Sequence, residues 1–225
     1  MNIFFLAVAT WFHMMNGHID AESLTEDFAA MHAAGIDEVT IFNAGRPFDG
    51  GFKMKQVAPE NVKTFDESKW PQVKFMSEEY FSLFRHALDE AAKYGMTVGA
   101  ANCDGWSESG GPWITPEMSM KELIWRVSLR GNAEERRNGE EVGTGGWRTV
   151  GGAESKIRAG YYVKIAEVEC NGRTYEFGYT TNGKTNHPAS PEGKGLECDK
   201  MDAAALELHF ANYPAAVLKA AGEHV

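Results

Sequence analysis

Apolar and polar positions in the first half of the chain predict parallel α/β structure. The continuous apolar run from Ile3 to Phe12 is typical of a strand that is buried on both faces. A helix signal follows, in which Ser23 and Glu26 form a capping box and an apolar stripe ends at Gly35. This first block of the chain therefore predicts a strand followed by a helix.

The same pattern then repeats. Val39–Phe42 is a second short apolar run, and a second helix is predicted to begin near Ser77 and to end at Gly95. Met96–Ala101 predicts a third strand. The order βαβαβ, with a glycine after each helix, indicates a parallel sheet.

The middle of the chain has a different pattern. Leu123–Leu129 alternates apolar and polar residues, which favours a half-buried strand over a helix. Tyr161–Cys170 and Arg173–Thr180 are strand-like and meet at Asn171-Gly172, a strong signal for a hairpin turn. These features predict a small antiparallel insertion over residues 119–185.

The last part of the chain again predicts a strand and a helix. Leu196–Lys200 is interpreted as a fourth buried strand, and an alanine-rich helix follows from Asp202, with Pro214 either kinking it or starting a second helix. We therefore divide the chain into residues 1–118 (first βα units), 119–185 (β-rich insertion) and 186–225 (next strand and helix).

Two α/β architectures fit this element order, a doubly wound open sheet and part of a (β/α)₈ barrel. A complete barrel needs about 250 residues. The chain has 225 residues, of which the insertion takes a part, so that only about four βα units fit. This count favours an incomplete TIM-type barrel with a small antiparallel insertion.

Charge and cysteine content exclude several classes of partner. The formal net charge of −10 opposes binding to nucleic acid or to an anionic membrane, since both need a positive surface. The three cysteines are far apart and indicate neither a disulfide framework nor a zinc site. The apolar start is too short for a membrane helix and lacks the basic residues of a signal peptide.

Residues that follow the strands are candidates for a ligand site, because parallel α/β folds bind ligands at the carboxyl ends of their strands. Aromatic, amide and carboxylate side chains are concentrated there, a mixture that suits sugars. Paired carboxylates also carry out glycoside hydrolysis. The candidates are His13 and Asn16 after the first strand, Asn102, Asp104 and Trp106 after the third, and Glu197, Asp199 and Lys200 around the fourth.

Each candidate also has an ordinary structural interpretation. His13 alone is more often a hydrogen-bonded structural histidine, and Asp104 can brace its glycine-flanked turn. Glu197 and Asp199 are two residues apart and would share one face of a strand, where they need Lys200, a metal or a substrate as partner. Dinucleotide, P-loop, H-E-x-x-H and G-x-S-x-G motifs are absent from the sequence.

Three segments together resemble glycoside hydrolase family 106, a family of α-L-rhamnosidases found chiefly in bacteria that degrade plant polysaccharides. They are WFHMMNGHI with the following helix DFAAMHAAGIDEVTIFN, then NCDGWSESGGPWITPEMSM, then GYTTNGKTNHPASPEGKGLECDK. The likeness covers residues from about 10 to 125 and from 173 to 221. The strings GWSESGGPWI and GLECDK carry most of its specificity.

The resemblance implies a larger enzyme with a (β/α)₈ barrel, an inverting mechanism, a calcium ion at the sugar site and a periplasmic or extracellular location. It places His13, Asn16, Asn102, Asp104, Trp106 and Lys200 at the barrel mouth as substrate-binding residues, with Glu197 and Asp199 as weak candidates for metal ligands. It also implies that the acid and base carboxylates lie beyond Val225.

Three functional hypotheses result. The leading one is a glycoside hydrolase of α-L-rhamnosidase type that acts on terminal rhamnose of plant-type glycans or glycosides. The second is a non-catalytic carbohydrate-binding remnant, and the third is a small-molecule enzyme that acts through Asp104 and His13. If the chain is a fragment, we expect it to self-associate through the open barrel edge and not to hydrolyse rhamnosides alone.

Overall fold

The computed structural model describes residues 7–15, 17–45, 72–107, 109–129 and 145–225. They divide into two compact units. The first lies within Met1–Trp113, Thr185–Gly195 and Glu207–Val225, and the second within Ile114–Lys184 and Leu196–Leu206.

The first unit contains a three-stranded parallel sheet with the strand order β1-β2-β3. Its strands and intervening helices are β1 (Ala9–Met15), α1 (Ala21–Ala33), β2 (Glu38–Ala44), α2 (Glu78–Lys93) and β3 (Thr97–Ala100). The predicted βαβαβ order is thus confirmed.

The first strand differs from its prediction. β1 runs to Met15, so that His13 lies inside the strand and pairs with Phe42, whereas the sequence pattern placed it after the strand. Met14 is the only fully buried residue of β1. Met14 lies in the hydrophobic core whereas Trp11, on the opposite face, is exposed, so that β1 is not buried on both faces as its apolar run predicted.

The caps of the two helices explain where they begin. α1 is capped by Asp20, whose carboxylate Oδ1 accepts a hydrogen bond from the Ser23 backbone N–H at 2.8 Å. The predicted capping box at Ser23 is therefore three residues too late, because aspartate caps a helix as well as serine does. α2 is capped by Ser77, as predicted.

The core of the first unit lies among these helices and strands. Leu24 and Phe28 of α1, Tyr80 and Phe84 of α2, and Val39 of β2 are all buried in one hydrophobic cluster. Two more helices follow near the end of the chain, α3 (Ala203–Asn212) and α4 (Pro214–Ala221), and α4 packs on α2. Pro214 thus starts a second helix, which is one of its two predicted roles.

The second unit contains an antiparallel sheet with the strand order β5-β4-β7-β6. Its strands are β4 (Lys121–Leu129), β5 (Arg148–Thr149), β6 (Val163–Cys170) and β7 (Arg173–Thr181). β6 and β7 are joined at Asn171 and Gly172, both of which have a positive φ, as the predicted hairpin turn requires. The combination of a parallel and an antiparallel sheet in one α/β chain is confirmed.

The predicted fourth strand is wrong. Residues 196–200 do not join either sheet, and Cys198 forms an isolated antiparallel bridge with Ser119. A segment of five residues can satisfy its backbone hydrogen bonds through single bridges as well as through pairing in a sheet. The apolar pattern of the sequence does not distinguish these two cases. The parallel sheet of the described residues therefore has three strands. No helix in the described ranges is long and apolar enough to cross a bilayer.

The hairpin gives a testable prediction. Gly172→Ala is expected to lower the free energy of unfolding by about 1 kcal/mol, because a Cβ is unfavourable at the left-handed φ of 72°. Urea unfolding followed by tryptophan fluorescence measures this change.

Gly146→Ala is the matched control. Neither glycine has an atom within 4 Å of an added Cβ, but only Gly172 has the left-handed backbone. The control variant is expected to be as stable as the native chain, or slightly more so. Equal unfolding midpoints for the two variants would contradict the backbone argument.

Candidate functional site

Four aromatic side chains meet on one face of β1 and β2. We call Trp11, His13, Phe42 and Trp106 the aromatic cluster. The His13 ring stacks on Phe42 with centroids 5.4 Å apart and meets Trp106 edge to face at 6.0 Å, while Trp11 lies 5.2 Å from Phe42. Trp11 and His13 share one face of β1 because they are two residues apart, and the parallel register sets Phe42 beside His13.

The aromatic cluster is open to solvent on one side. Trp106 is 53% exposed and Trp11 is 69% exposed, although both rings are in contact with other rings. Large apolar side chains that stay exposed in a group mark a binding surface more often than scattered ones do. The structure therefore brings together two of the predicted site residues, His13 and Trp106, and adds Trp11 and Phe42.

Asp104 lies beneath this surface and does not reach it. Its side chain is 1% exposed, and its Oδ1 accepts a hydrogen bond from Asn43 Nδ2 at 2.8 Å. Its Oδ2 accepts from the Ser190 backbone N–H at 2.8 Å and from the Ser190 hydroxyl. Asp104 thus braces its loop, which is the structural role that the sequence also allowed, and its contact with a substrate stays a prediction.

Burial and hydrogen bonding act on this carboxyl in opposite directions. Burial raises the pKa of Asp104, whereas the donors on Ser190 and Asn43 lower it, and the effect of burial is the larger. The carboxylate in this position has therefore lost more stabilisation by water than its hydrogen bonds replace. Its donors have to remain in position for the loop to keep its shape.

Residues 185–195 complete the support under the loop. Asn186 Nδ2 donates to the carbonyl oxygens of Asp104 and Gly193, both at 2.9 Å, and its Oδ1 accepts from the Gly195 N–H at 2.8 Å. A Cβ at Gly193 would lie 2.1 Å from Asp104 Oδ2, so that only glycine fits there. Sequence reasoning missed Asn186 and Ser190, and their place in the third matched segment, TNHPASPEGKG, was the available signal.

A buried histidine contacts both ends of the loop that follows β3. His209 Nε2 is 2.8 Å from the Asn102 carbonyl oxygen, and Trp113 Nε1 donates to His209 Nδ1 at 3.3 Å. The side chain of Asn102, a predicted site residue, is exposed. Burial lowers the pKa of His209. The sequence signal that could have identified His209 is a histidine within an alanine-rich, apolar helix.

A cavity of about 390 Å³ opens at the end of β2. Asn43 and Ser190, which both donate to Asp104, line it together with Lys74, Glu192 and Lys194, while Val73 and Phe75 belong to the apolar part of its lining. The polar part of the lining suits a hydrated ligand group such as a sugar hydroxyl. Asn16, the remaining candidate near β1, lies outside the described residues.

The other three predicted site residues belong to the second unit. Lys200 Nζ lies 4.0 Å from Glu197 Oε2, and Lys121 Nζ lies 3.2 Å from Asp199 Oδ2. Glu197 thus has the partner predicted for it, but Asp199 pairs with a lysine that the sequence did not indicate.

These two carboxylates do not fit the expected calcium ion. Calcium takes six to eight oxygen ligands, and an ammonium group beside each carboxylate opposes a second cation there. Within the described ranges, no three His, Cys, Asp or Glu side chains converge on one point. We therefore derive no chemical step through calcium from Glu197 and Asp199.

Comparison with known proteins identifies the family of the chain. Residues 6–138 and 169–225 match glycoside hydrolase family 106, described as alpha-L-rhamnosidase. The chain is also similar to the structure of a rhamnosidase from Novosphingobium sp. PP1Y, with a TM-score of 0.60 and 16% identity over 97% of this chain and 37% of that one. At this identity the likeness shows the fold alone.

One curated relative has a different name. A protein of Formosa agariphila, provisionally named a beta-glucuronidase, is 23% identical to the chain over 252 residues. The match covers 89% of this chain and 20% of that relative. The chain thus spans about a fifth of the curated relative and 37% of the solved rhamnosidase.

The bracing role of Asp104 can be tested by Asp104→Asn. The substitution removes the cost of burying a charge, but it turns an amide donor toward groups that themselves donate. Because hydrogen bonds to charged groups contribute about 2 kcal/mol each, we expect a net loss of about 2 kcal/mol in the free energy of unfolding. Asp27→Asn, at an exposed position on α1, is the control. Equal urea midpoints for the two variants would rule out the bracing role.

His209 predicts a pH dependence of stability. Its pKa is lowered in the folded chain, so that the unfolded chain binds a proton more readily. The stabilising contribution is complete above the unfolded pKa of about 6.5 and is lost as the pH falls from there toward the lower folded value. Unfolding free energies measured from pH 7.5 to pH 5 should fall more steeply for the native chain than for His209→Phe. Identical slopes would disprove this contribution.

Proposed function

We propose that this chain, which belongs to glycoside hydrolase family 106, the α-L-rhamnosidases, carries sugar-binding groups of a glycoside hydrolase site. The observation that carries the proposal is the aromatic cluster on one face of β1 and β2, together with Trp106 from the loop after β3. Exposed rings cover the apolar C–H face of a pyranose, while neighbouring polar groups bind its hydroxyls. The cluster supplies the rings for this stacking. The cavity beside Asn43 shares no lining residue with the cluster and is a separate polar feature of the unit.

For the architecture, we propose that β1, β2 and β3 are consecutive strands of a (β/α)₈ barrel. Their parallel register and the helices that connect them support this arrangement. A doubly wound open sheet with the same three strands is the alternative. Both place a ligand at the carboxyl ends of the strands, the side from which the loop after β3 brings Trp106 to the aromatic cluster.

For the substrate, we propose terminal L-rhamnose of plant-type glycans or glycosides, cleaved with inversion. Rhamnose is a neutral 6-deoxy sugar, and its methyl group adds apolar surface for an aromatic ring. A glucuronide, which the name of the Formosa agariphila relative suggests, instead carries a carboxylate. The net charge of −10 disfavours an anionic sugar, although Lys74 and Lys194 in the cavity lining offer local cations.

The second candidate function is carbohydrate binding without turnover. It is favoured by the burial of Asp104, which is 1% exposed and accepts hydrogen bonds from Asn43 and Ser190 inside the protein, away from the surface of the aromatic cluster. An inverting glycosidase needs two carboxyl groups about 6.5–9.5 Å apart on either side of the bond. The acid and base remain a prediction from the family resemblance.

Sugar binding at the aromatic cluster can be measured directly. We expect methyl α-L-rhamnoside to bind to the chain in ligand-observed NMR titrations, and Trp106→Ala to weaken binding about tenfold, because a ring stacked on a ligand contributes about 1 kcal/mol or more. Methyl β-D-glucuronide is the competing ligand in a parallel titration.

Phe210→Ala is the matched control, since Phe210 is 52% exposed and lies outside the aromatic cluster. It should leave the affinity for the rhamnoside unchanged. Tighter binding of the glucuronide would replace rhamnose as the proposed sugar. Equal losses in Trp106→Ala and Phe210→Ala would reject the aromatic cluster as the binding surface.

A further inference from the structure

The loop from Asn102 to Trp113 carries Trp106, and one imidazole contacts both of its ends. His209 Nε2 meets the backbone carbonyl of Asn102 at 2.8 Å, and His209 Nδ1 meets the indole nitrogen of Trp113 at 3.3 Å. The Trp113 and His209 rings also pack together, with centroids 5.8 Å apart. The His209 side chain therefore links the two ends of the loop.

The two partners determine which tautomer His209 adopts. A carbonyl oxygen only accepts a hydrogen bond, so that Nε2 carries the proton. An indole N–H only donates, so that Nδ1 is unprotonated. The neutral Nε2–H form satisfies both contacts, and the side chain is 4% exposed, so that both contacts are made away from bulk water.

The middle of the loop is held separately. The Gly105 N–H donates to the Asn43 carbonyl at 2.9 Å, and the Trp106 N–H donates to the His187 carbonyl at 3.2 Å. These contacts hold the middle of the loop on β2 and on the segment 185–195, whereas His209 contacts the residues at its two ends. The Trp106 indole is 53% exposed and meets the His13 ring edge to face, so that its place in the aromatic cluster depends also on the backbone that carries it.

We infer that His209 is a positioning residue for the sugar site, holding the Asn102–Trp113 loop by both ends so that Trp106 stays in the aromatic cluster. This inference rests on the proposed function for the identity of the ligand. When the loop that carries Trp106 is already ordered in the free chain, sugar binding has no entropy cost for ordering that loop. Loss of His209 should therefore weaken sugar binding although His209 lies beneath the loop.

Three substitutions separate the two contacts of His209. Phe keeps a ring but has neither hydrogen-bonding group, Asn places its carboxamide oxygen near the position of Nδ1, and Gln places its amide nitrogen near that of Nε2. His32→Phe is the control, because His32 stacks on Tyr94 with centroids 4.6 Å apart in another part of the unit. All variants are made in the full 225-residue chain.

The primary readout does not require a sugar. The chain is labelled with 5-fluorotryptophan, and the fluorine resonances of Trp106 and Trp113 are assigned from Trp106→Phe and Trp113→Phe. In His209→Phe we expect both resonances to shift and that of Trp106 to broaden. His209→Asn should restore the Trp113 resonance, whereas His209→Gln should not. The control His32→Phe should leave both resonances in place.

The second readout is the affinity for methyl α-L-rhamnoside, which we expect to fall about fivefold in His209→Phe, the effect of leaving one side chain to be ordered on binding. An unchanged Trp106 resonance in His209→Phe would overturn the inference even if the Trp113 resonance moved. Should that variant not fold, native Trp106 resonances in both His209→Asn and His209→Gln would overturn it equally. If the native chain binds no rhamnoside, the proposed sugar fails, while the fluorine resonances still decide the role of His209.

Discussion

A buried carboxylate organises the first unit. Asp104 is almost fully removed from water, and an anion in that position is tolerated only where donors replace its hydration. The donors come from β2 through Asn43 and from the segment 185–195 through Ser190. One charge thus fastens the end of β2, the loop after β3 and a segment 86 residues further along the chain. These three segments cannot move apart without exposing an uncompensated charge.

This buried charge also explains why the aromatic side chain beside it is exposed. Asp104 points inward, Gly105 turns the backbone at a φ of 84°, and Trp106 then points outward to the aromatic cluster. A Cβ at Gly105 would lie 2.8 Å from the Pro188 carbonyl oxygen, so that the turn has no space for a side chain. In the string Asp104-Gly105-Trp106, Asp104 is therefore the buried hydrogen-bond acceptor, Gly105 makes the turn and Trp106 is the exposed ring.

Sequence reasoning succeeded where local physics determines the structure. The Ser77 cap, the Asn171-Gly172 turn and the alternation of helices and strands depend on neighbours a few residues apart. It failed for residues 196–200, whose pattern fits a strand and a bridge equally. Within the site, Trp106 and His13 were identifiable because they lie near strand ends. His209 and Asn186 were not, because their partners are 107 and 82 residues away in sequence.

Supporting the loop and transferring a proton are tasks for different carboxyl groups in this unit. Both oxygens of Asp104 accept hydrogen bonds from the protein, and the side chain is 1% exposed, so that neither oxygen is presented to a ligand at the surface. A carboxyl that serves as a general acid must instead keep one oxygen free for the leaving group. Asp104 cannot do both, and the sequence alone could not distinguish the roles, since a catalytic and a bracing aspartate look identical in a glycine-flanked loop. Asp104 therefore supports the loop that carries Trp106, and a glycosidase built on this unit would take its acid and base from other carboxyl groups.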